Sequence, residues 1–283
     1  MDVDVVVCVK DRAKSLDRVL QQIVREIPFK NLIVIYGSSK DDTKEVAEKY
    51  TNQVFWDGDK GLGAARKLGM EKATSEIVAM IDSDIILTKG WFRRLIKYFE
   101  DPKVAAVMGT CIYGYGCKPL ELYHDYLRLN SREDWGCHNT MFRRSAVLEV
   151  GNFDETIQGA GEDFDLYLRL LNAGYKWVWA KEIVVYHPMN MLEYLHHVHW
   201  WAKSPHRLKY IISSQVESKS LFRFYCNQIR LILEAFWIGI WFSIKIHPSM
   251  IIYFPLIRTT VIMTRLKERA RLIYLDNFLN SHK

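Results

Sequence analysis

The stretch IVAMIDSDIIL, at residues 77–87, decides the fold of this chain. Its first five residues are apolar without interruption, which is typical of a strand buried on both faces of a parallel sheet. Asp82 and Asp84 follow at once, separated by Ser83. Because the ligands of such sheets collect at the carboxyl ends of the strands, this turn is a candidate functional site.

The sequence on either side of this stretch alternates between strand and helix patterns. Before it, we predict strands at 3–9, 31–36 and 53–55 and helices at 15–27, 43–50 and 64–73. After it, we predict helices at 91–99, 145–150 and 162–173 and strands at 104–109, 139–143 and 178–186, while the sequence from 110 to 135 lacks a regular period. This alternation predicts an α/β fold with a mostly parallel sheet flanked by helices.

Two acidic segments could carry chemistry. Carboxylates at positions 82 and 84 suit Mg²⁺ or Mn²⁺, which prefer oxygen ligands and can bridge a protein to a diphosphate; a solvated acidic turn is the alternative. The sequence GAGED at 159–163 places Glu162 and Asp163 at a predicted helix start, where carboxylates are electrostatically favoured. A carboxylate there could take a proton from an attacking hydroxyl, and a simple acidic helix cap is the alternative.

Several segments, taken together and in order, resemble the family two glycosyltransferases, which have the GT-A fold. The resemblance covers about residues 3–190. The matching segments are VVVCVKDR at 5–12, GSS at 37–39 with Asp41 and Thr43, GLGAAR at 61–66, DSD at 82–84, RRS at 143–145, VGNFDE at 150–155 and GED at 161–163. One departure is Ile35-Tyr36, which stands where the family usually has an acidic residue, and Lys40 is a second in the loop that follows.

The resemblance implies an inverting enzyme that moves a sugar from a nucleoside-diphosphate sugar to an acceptor. It implies that Asp163 is the general base and that Glu162 contacts the acceptor. Implied ligands of Mg²⁺ or Mn²⁺ are Asp84, Asp82 and His187, although a structural role is equally open for the histidine. The implied donor-binding residues are Lys10, Asp11, Arg12, Ser38, Arg66, Asp82 and Ser83.

The composition changes near residue 190, which predicts a catalytic domain at 1–190 and a helical, basic and apolar region at 191–283. Apolar runs at 229–246 and 250–263 are shorter than the roughly 20 residues of a spanning helix, so an interfacial pair fits at least as well as a membrane hairpin. A buried helical core is the alternative. Membrane contact is favoured by four tryptophans and by many cations: Trp200, Trp201, Trp237 and Trp241, and Lys203, Arg207, Lys209, Lys219, Arg223, Arg230, Lys245, Arg258, Arg265, Lys267, Arg269 and Arg271.

The same region suggests anionic lipid rather than nucleic acid, because stacking aromatics are not interleaved with the basic run at 265–271. We interpret His196, His197 and His199 as an interfacial or surface face rather than a metal site. The chain carries a formal net charge of +6 and five cysteines without a Cys-x-x-Cys pair, which argues against a disulfide framework or zinc ribbon. The acidic start of the sequence lacks a signal-peptide pattern, so we expect the catalytic part on the cytosolic face.

Three other functions fit parts of the pattern. The enzyme could use a soluble acceptor instead of a lipid-linked one such as a polyprenyl phosphate or a polyprenyl-diphosphate glycan. The chain could also bind a nucleotide sugar without turnover, as a partner subunit. A dehydrogenase on a Rossmann sheet is disfavoured, because no Gly-x-Gly-x-x-Gly turn follows the first strand.

Overall fold

The computed structural model describes residues 2–131, 134–157, 159–203 and 221–280, with the side chains of all of these except 221–227 and 269–280. Arg207, Lys209 and Lys219, which belong to the predicted basic region, lie outside the described residues. The domain boundary predicted near residue 190 falls between the last strand and the helix Met191–Ala202.

The centre of the molecule is a seven-stranded sheet with the order β3-β2-β1-β4-β6-β5-β7. Neighbouring strands are parallel except around β6, which runs antiparallel to both β4 and β5. The α/β fold with a mostly parallel sheet is therefore confirmed. The strands are β1 Val3–Val9, β2 Asn31–Tyr36, β3 Val54–Trp56, β4 Ile77–Ile81, β5 Val104–Tyr115, β6 Asn139–Arg143 and β7 Lys176–Pro188.

Helices cover both faces of this sheet. One face packs against α1 Ala13–Glu26, α2 Thr43–Glu48 and α4 Trp91–Leu95, which continues as a 3₁₀ turn at Ile96–Glu100. The other face packs against α3 Leu62–Lys72, α6 Arg144–Glu149 and α7 Glu162–Asn172. Successive residues of β1 therefore enter different cores: Val5 and Val7 face α1, whereas Val6 faces α3.

The stretch between 110 and 135, for which no period was found, contains regular structure. Strand β5 continues to Tyr115, six residues beyond the predicted end, because it stays paired with β7 across a register shift at Gly109 and Thr110. Helix α5 follows at Lys118–Asn130, and only Leu120 and Tyr123 of it are buried. A helix with so narrow a buried face leaves a weak periodic signal in the sequence.

In the part of the chain that the structure describes, three further helices follow the sheet: α8 Met191–Ala202, α9 Leu221–Lys245 and α10 Met250–Asn280. Phe242 of α9 and Phe254 of α10 pack together and against Tyr123 of α5. Gly239 allows α9 to approach Pro255 of α10, because a Cβ there would lie 2.9 Å from the proline ring. Among the described helices, none combines the length and the apolar character that crossing a membrane requires.

Candidate active site

A cavity of about 500 Å³ lies at the carboxyl ends of the parallel strands. Predicted site residues from five segments line it. Arg12 precedes α1, Arg66 lies on α3, Asp82 and Asp84 follow β4, Glu162 and Asp163 begin α7, and His187 lies near the end of β7. Parallel strands bring these segments to one edge of the sheet, as the sequence predicted.

Asp84 contacts two basic side chains. Its Oδ1 atom lies 3.2 Å from Nε2 of His187, and its Oδ2 atom lies 3.6 Å from Nε of Arg12. Burial raises the pKa of Asp84, but the hydrogen bond and charge of His187, together with Arg12, outweigh burial and lower it. Burial lowers the pKa of His187, and Asp84 reverses that effect and raises it.

The donor atoms of Asp84 and His187 fit a divalent cation in part. They face each other across 3.2 Å, a spacing at which both could ligate one ion. Carboxylate and imidazole ligands suit Mn²⁺, and Mg²⁺ is commonly held by one or two carboxylates with substrate phosphates supplying further ligands. Within residues 2–131, 134–157, 159–203 and 228–268, no group of three or more acidic, histidine or cysteine side chains forms a complete metal cage.

Arg66 forms the centre of a second charged group. Its guanidinium is buried and pairs with Oε1 of Glu162 and, at 3.2 Å, with Oδ1 of Asp82. Burial raises the pKa of Glu162, and the charge of Arg66 opposes this effect. Oε2 of Glu162 is buried and has no hydrogen-bond partner among the described residues. Glu162 thus contacts Arg66 directly, and its predicted contact with the acceptor stays a prediction.

Asp163 lies beside His138 across Gly136. A Cβ on Gly136 would lie 2.7 Å from the His138 ring and 3.9 Å from Oδ2 of Asp163, so only glycine permits this arrangement without a shift. Oδ1 of Asp163 accepts a hydrogen bond from the Phe164 amide. Burial lowers the pKa of His138 to about 4, which keeps its imidazole neutral near pH 7.

Four predicted donor-binding residues lie outside the cavity lining. Lys10 and Ser38 both contact Asp59, which follows β3: Nζ of the lysine is 3.4 Å away, and the serine amide donates over 2.8 Å. Asp11 has a φ of 52° and accepts from the Lys40 amide over 2.6 Å. Ser83 is buried between the two aspartates. Lys10, Asp11, Ser38 and Asp59 join the loops after β1, β2 and β3 into one hydrogen-bonded edge.

Sequence reasoning missed several residues of this site. Asp59 is one, and the acid pair in the Asp57-Gly58-Asp59 turn after a short strand was the available signal. His138 is another: it precedes β6, whose antiparallel direction brings its amino end to the edge where parallel strands end, and its carbonyl accepts from the Asp82 amide.

The interpretation of the three histidines at 196–199 as an interfacial or surface face was wrong for one of them. His197 lines the cavity and stacks on Trp201 at 4.4 Å, and its ring lies 5.7 Å from that of His187. The spacing of Tyr194, His197 and Trp201 places all three on one face of a helix, which was the missed signal. His196 is exposed, and Nδ1 of His199 lies 2.7 Å from the hydroxyl of Thr264.

The chain has relatives of known activity. A pre-mycofactocin glycosyltransferase of Mycobacterium tuberculosis is 32% identical in an alignment of 203 residues that covers 66% of this chain and 42% of that protein, so the chain matches less than half the length of this relative. A glucosyl-dolichyl phosphate glucuronosyltransferase of Haloferax volcanii is 25% identical in an alignment of 186 residues that covers 57% of this chain and 59% of that one.

A solved structure shares the fold. It is a mannosyltransferase from Pyrobaculum calidifontis in complex with GDP-Man and Mn²⁺, and it aligns with a TM-score of 0.59 at 17% identity over 96% of this chain and 75% of that one. This likeness confirms that the fold is GT-A-like. The sequence model of glycosyl transferase family 2 matches residues 4–160, more than half of the chain. The chain therefore belongs to glycosyl transferase family 2.

Proposed function

We propose that this chain is a glycosyltransferase and that it inverts the configuration of a sugar as it moves it from a nucleoside-diphosphate sugar to an acceptor, at the cytosolic face of a membrane. The observation that supports this most is the shared cavity, which Asp82 and Asp84 line from the end of β4 and Asp163 lines from the start of α7. The donor diphosphate could therefore lie near Asp82 and Asp84, while the acceptor hydroxyl approaches the anomeric carbon of the donor from the side of Asp163.

At the donor end of the cavity, Asp84 and His187 would be ligands of Mg²⁺ or Mn²⁺, with Asp82 beside them. When bound, the cation neutralises the diphosphate as the bond to the sugar breaks. Arg12, whose side chain is 59% exposed, is free to turn from Asp84 toward the diphosphate. Arg66 stays fixed by Glu162 and adds a preorganised positive charge. Lys10, Asp11, Ser38 and Ser83 shape the adjoining nucleoside end.

At the acceptor end, Asp163 takes the proton of the attacking hydroxyl. The acceptor oxygen forms a bond to the anomeric carbon while the bond from that carbon to the diphosphate oxygen breaks on the opposite face. The electron pair of the broken bond stays on the diphosphate. A single displacement of this kind inverts the configuration and needs one base, which is the role that a carboxylate at the start of α7 can fill.

Membrane association is supported by a stripe of exposed apolar side chains on α9. Five of its members recur at intervals of three or four residues, and Trp237 adjoins one of them; all six are 40% to 77% exposed: Ile229, Leu233, Phe236, Trp237, Ile240 and Ile244. Cations flank the stripe, as Arg230 and Lys245, and its apolar character suits an interfacial helix. We therefore propose that residues 191–283 form a membrane-associated region and residues 1–190 the catalytic domain.

A lipid-linked acceptor follows from this placement, because a lipid carrier would be held at the same surface. The Haloferax volcanii relative supports it, since its name specifies a glucosyl-dolichyl phosphate. The described cysteines, Cys8, Cys111, Cys117 and Cys137, are free thiols, which supports a reducing, cytosolic environment. A soluble acceptor remains the second candidate.

The catalytic proposal is tested by incubating the full chain with Mn²⁺, a panel of nucleotide sugars and membrane extract. Release of nucleoside diphosphate and labelled product should both occur with one donor. Asp84→Ala should lower kcat/KM by about 10²–10³-fold, and Asp163→Asn should lower kcat by about 10²–10⁴-fold. Asp165→Asn, two residues along and paired with Arg169, is the matched control and should retain the parent rate. Parent rates in both site variants would refute the assignment.

The membrane proposal is tested by sedimentation of the full chain with vesicles containing anionic lipid. Replacing Phe236 and Trp237 by serine removes two side chains that are 55% and 73% exposed, and should weaken binding about tenfold or more. Val24→Ser, a change of an exposed apolar residue on α1, is the control and should bind as the parent does. Equal binding by all three proteins would rule the stripe out.

A further inference from the structure

Beside the carboxylates, much of the cavity wall consists of aromatic rings. This aromatic wall is formed by Tyr113, Trp135, Trp179, Tyr194, Trp200 and Trp201. Tyr113 lies at its centre, with the ring of Trp201 at 5.2 Å and that of His124 at 5.1 Å. The face of an aromatic ring is electron-rich, so it attracts groups with a partial positive charge. The C–H groups on the flat face of a sugar ring carry such a partial positive charge, whereas a phosphate group is negatively charged.

Two buried histidine nitrogen atoms in the cavity have no hydrogen-bond partner among the described residues. His124 and His138 both line it, and Nε2 of each is buried without a hydrogen bond to any described residue. Buried polar atoms are nearly always hydrogen-bonded, so such atoms indicate a missing ligand or water. A hydroxyl group can both donate and accept, and therefore satisfies either tautomer of the imidazole.

The cations of the cavity are already paired. In the part of the chain that the structure describes, the arginines that line it are Arg12, Arg66 and Arg128. Arg12 contacts Asp84 and is assigned above to the donor diphosphate, Arg66 contacts Asp82 and Glu162, and Arg128 contacts Asp125 at 2.7 Å. An acceptor phosphate would call for an available guanidinium or ammonium group. Arg128 is instead paired with an aspartate of its own helix, three residues earlier.

The proposed base also distinguishes the two kinds of acceptor. A phosphate monoester is mostly ionised at neutral pH, because its second pKa is about 6. Such a nucleophile has little need of a carboxylate to remove a proton. A sugar hydroxyl keeps its proton at neutral pH and does need a base, which Asp163 can supply.

The geometry points to a saccharide as the acceptor, with its ring against the aromatic wall and its hydroxyls bonded to His124 and His138. This inference rests on the proposed function and narrows it, because it excludes a bare polyprenyl phosphate. A free glycan and a lipid-linked glycan share the same recognised chemistry. The acceptor hydroxyl bonds to the anomeric carbon of the donor, its proton passes to Asp163, and the nucleoside diphosphate leaves.

The experiment uses the full chain with Mn²⁺, the active nucleotide sugar and three acceptors. These are nitrophenyl glycosides, the same sugars on a short prenyl diphosphate, and farnesyl phosphate. We expect transfer to both sugar acceptors and none to farnesyl phosphate. Faster transfer to the prenyl-linked sugar would identify a lipid-linked glycan, and equal rates would identify a free one. Quenching of tryptophan fluorescence by the glycoside alone gives a second readout that does not require transfer.

Three variants test the residues. His124→Leu should raise the KM for glycoside at least tenfold, and His124→Gln, which restores a hydrogen-bonding group, should recover most of that loss. Trp179→Ala should raise the same KM by a similar factor. Trp56→Ala, which removes an exposed indole at the end of β3 outside the cavity, is the control and should leave it unchanged.

Two results would overturn the inference. One is transfer to farnesyl phosphate in preference to sugars, and the other is glycoside binding that none of the three variants changes. Hydrolysis of the donor by water separates the two proposals. If the parent hydrolyses the nucleotide sugar but binds no glycoside, the saccharide acceptor is wrong and the proposed enzyme stands. If the parent does not act on any nucleotide sugar, the proposed function itself fails.

Discussion

The two ends of the central sheet each bury a carboxylate, and they treat it in opposite ways. At the amino end, Asp4 of β1 is fully buried and accepts hydrogen bonds from Asn31, Thr74 and Ser75. At the carboxyl end, Glu162 is equally buried, but one of its oxygens pairs with Arg66 and the other has no hydrogen-bond partner among the described residues.

The pKa values of these two groups move in opposite directions. Burial raises the pKa of Asp4, but the amides of Thr74 and Ser75 and the side chains of Ser75 and Asn31 outweigh it and lower the pKa. Burial raises the pKa of Glu162, and the charge of Arg66 opposes this increase without cancelling it. A carboxylate held by neutral backbone donors is fixed in place, whereas one held by a single charged side chain can exchange partners. The first arrangement serves folding, and the second is typical of functional sites.

The largest effect should come from breaking the buried pair at the carboxyl end. Glu162→Ala leaves the guanidinium of Arg66, whose side chain is 5% exposed, with Asp82 as its remaining carboxylate partner. Removing one member of a buried ion pair typically costs about 3–5 kcal/mol. We expect a loss of that size in the free energy of unfolding, measured by urea denaturation, together with loss of transfer.

A double variant sharpens this result. Arg66→Met combined with Glu162→Leu replaces both charges with apolar groups of similar size, which is often neutral for stability or favourable. We expect the double variant to regain most of the lost stability and none of the lost transfer. Such a result would show that the Arg66–Glu162 pair serves sugar transfer rather than stability. A double variant as unstable as Glu162→Ala would instead assign the pair to folding.

The same contrast explains how far the sequence predicted the fold. Strands β1, β2, β4 and β6 begin and end at the predicted residues. Strand β4 is an unbroken, fully buried apolar run, and β1 and β2 contain one strongly polar residue each, Asp4 and Asn31, so these three leave a clear local pattern. Helix α5 and the end of β5 were missed, since their limits depend on pairing with β7 and on packing by Tyr123. Local pattern determines a buried strand, whereas contacts distant in sequence determine the rest.

In the candidate site, the acidic residues were identified from the sequence, and their neutral neighbours were missed. Asp82, Asp84, Glu162 and Asp163 were identified from two short motifs, and all four line one cavity. His138 was missed because its position depends on the antiparallel direction of β6. His124, His197 and the aromatic wall come from α5, β5, β7, α8 and the loop before β6, which no motif links to the acids in sequence.

A smaller effect is expected at the amino end, where Asp4→Asn keeps the shape of the side chain and removes its charge. The amides of Thr74 and Ser75 both donate to Oδ2, at 2.6 and 2.9 Å, and an amide nitrogen in that place could not accept them. Leaving buried donors unsatisfied costs about 1–3 kcal/mol. Transfer at saturating substrate should stay at the parent rate, because Asp4 lies at the opposite end of β1 from Arg12.

The acid dependence of stability completes this test. Because the folded pKa of Asp4 lies below its ordinary value of 3.8, the unfolded chain takes up the proton first as pH falls. The contribution of Asp4 is therefore complete above about pH 5, and it declines through pH 3.8 toward the folded pKa. Urea denaturation from pH 7 to pH 3 should show the difference between parent and Asp4→Asn shrinking over that window. A constant difference would mean that the charge of Asp4 contributes nothing to the free energy of unfolding. The contrast between the two ends of the sheet would then be one of shape alone.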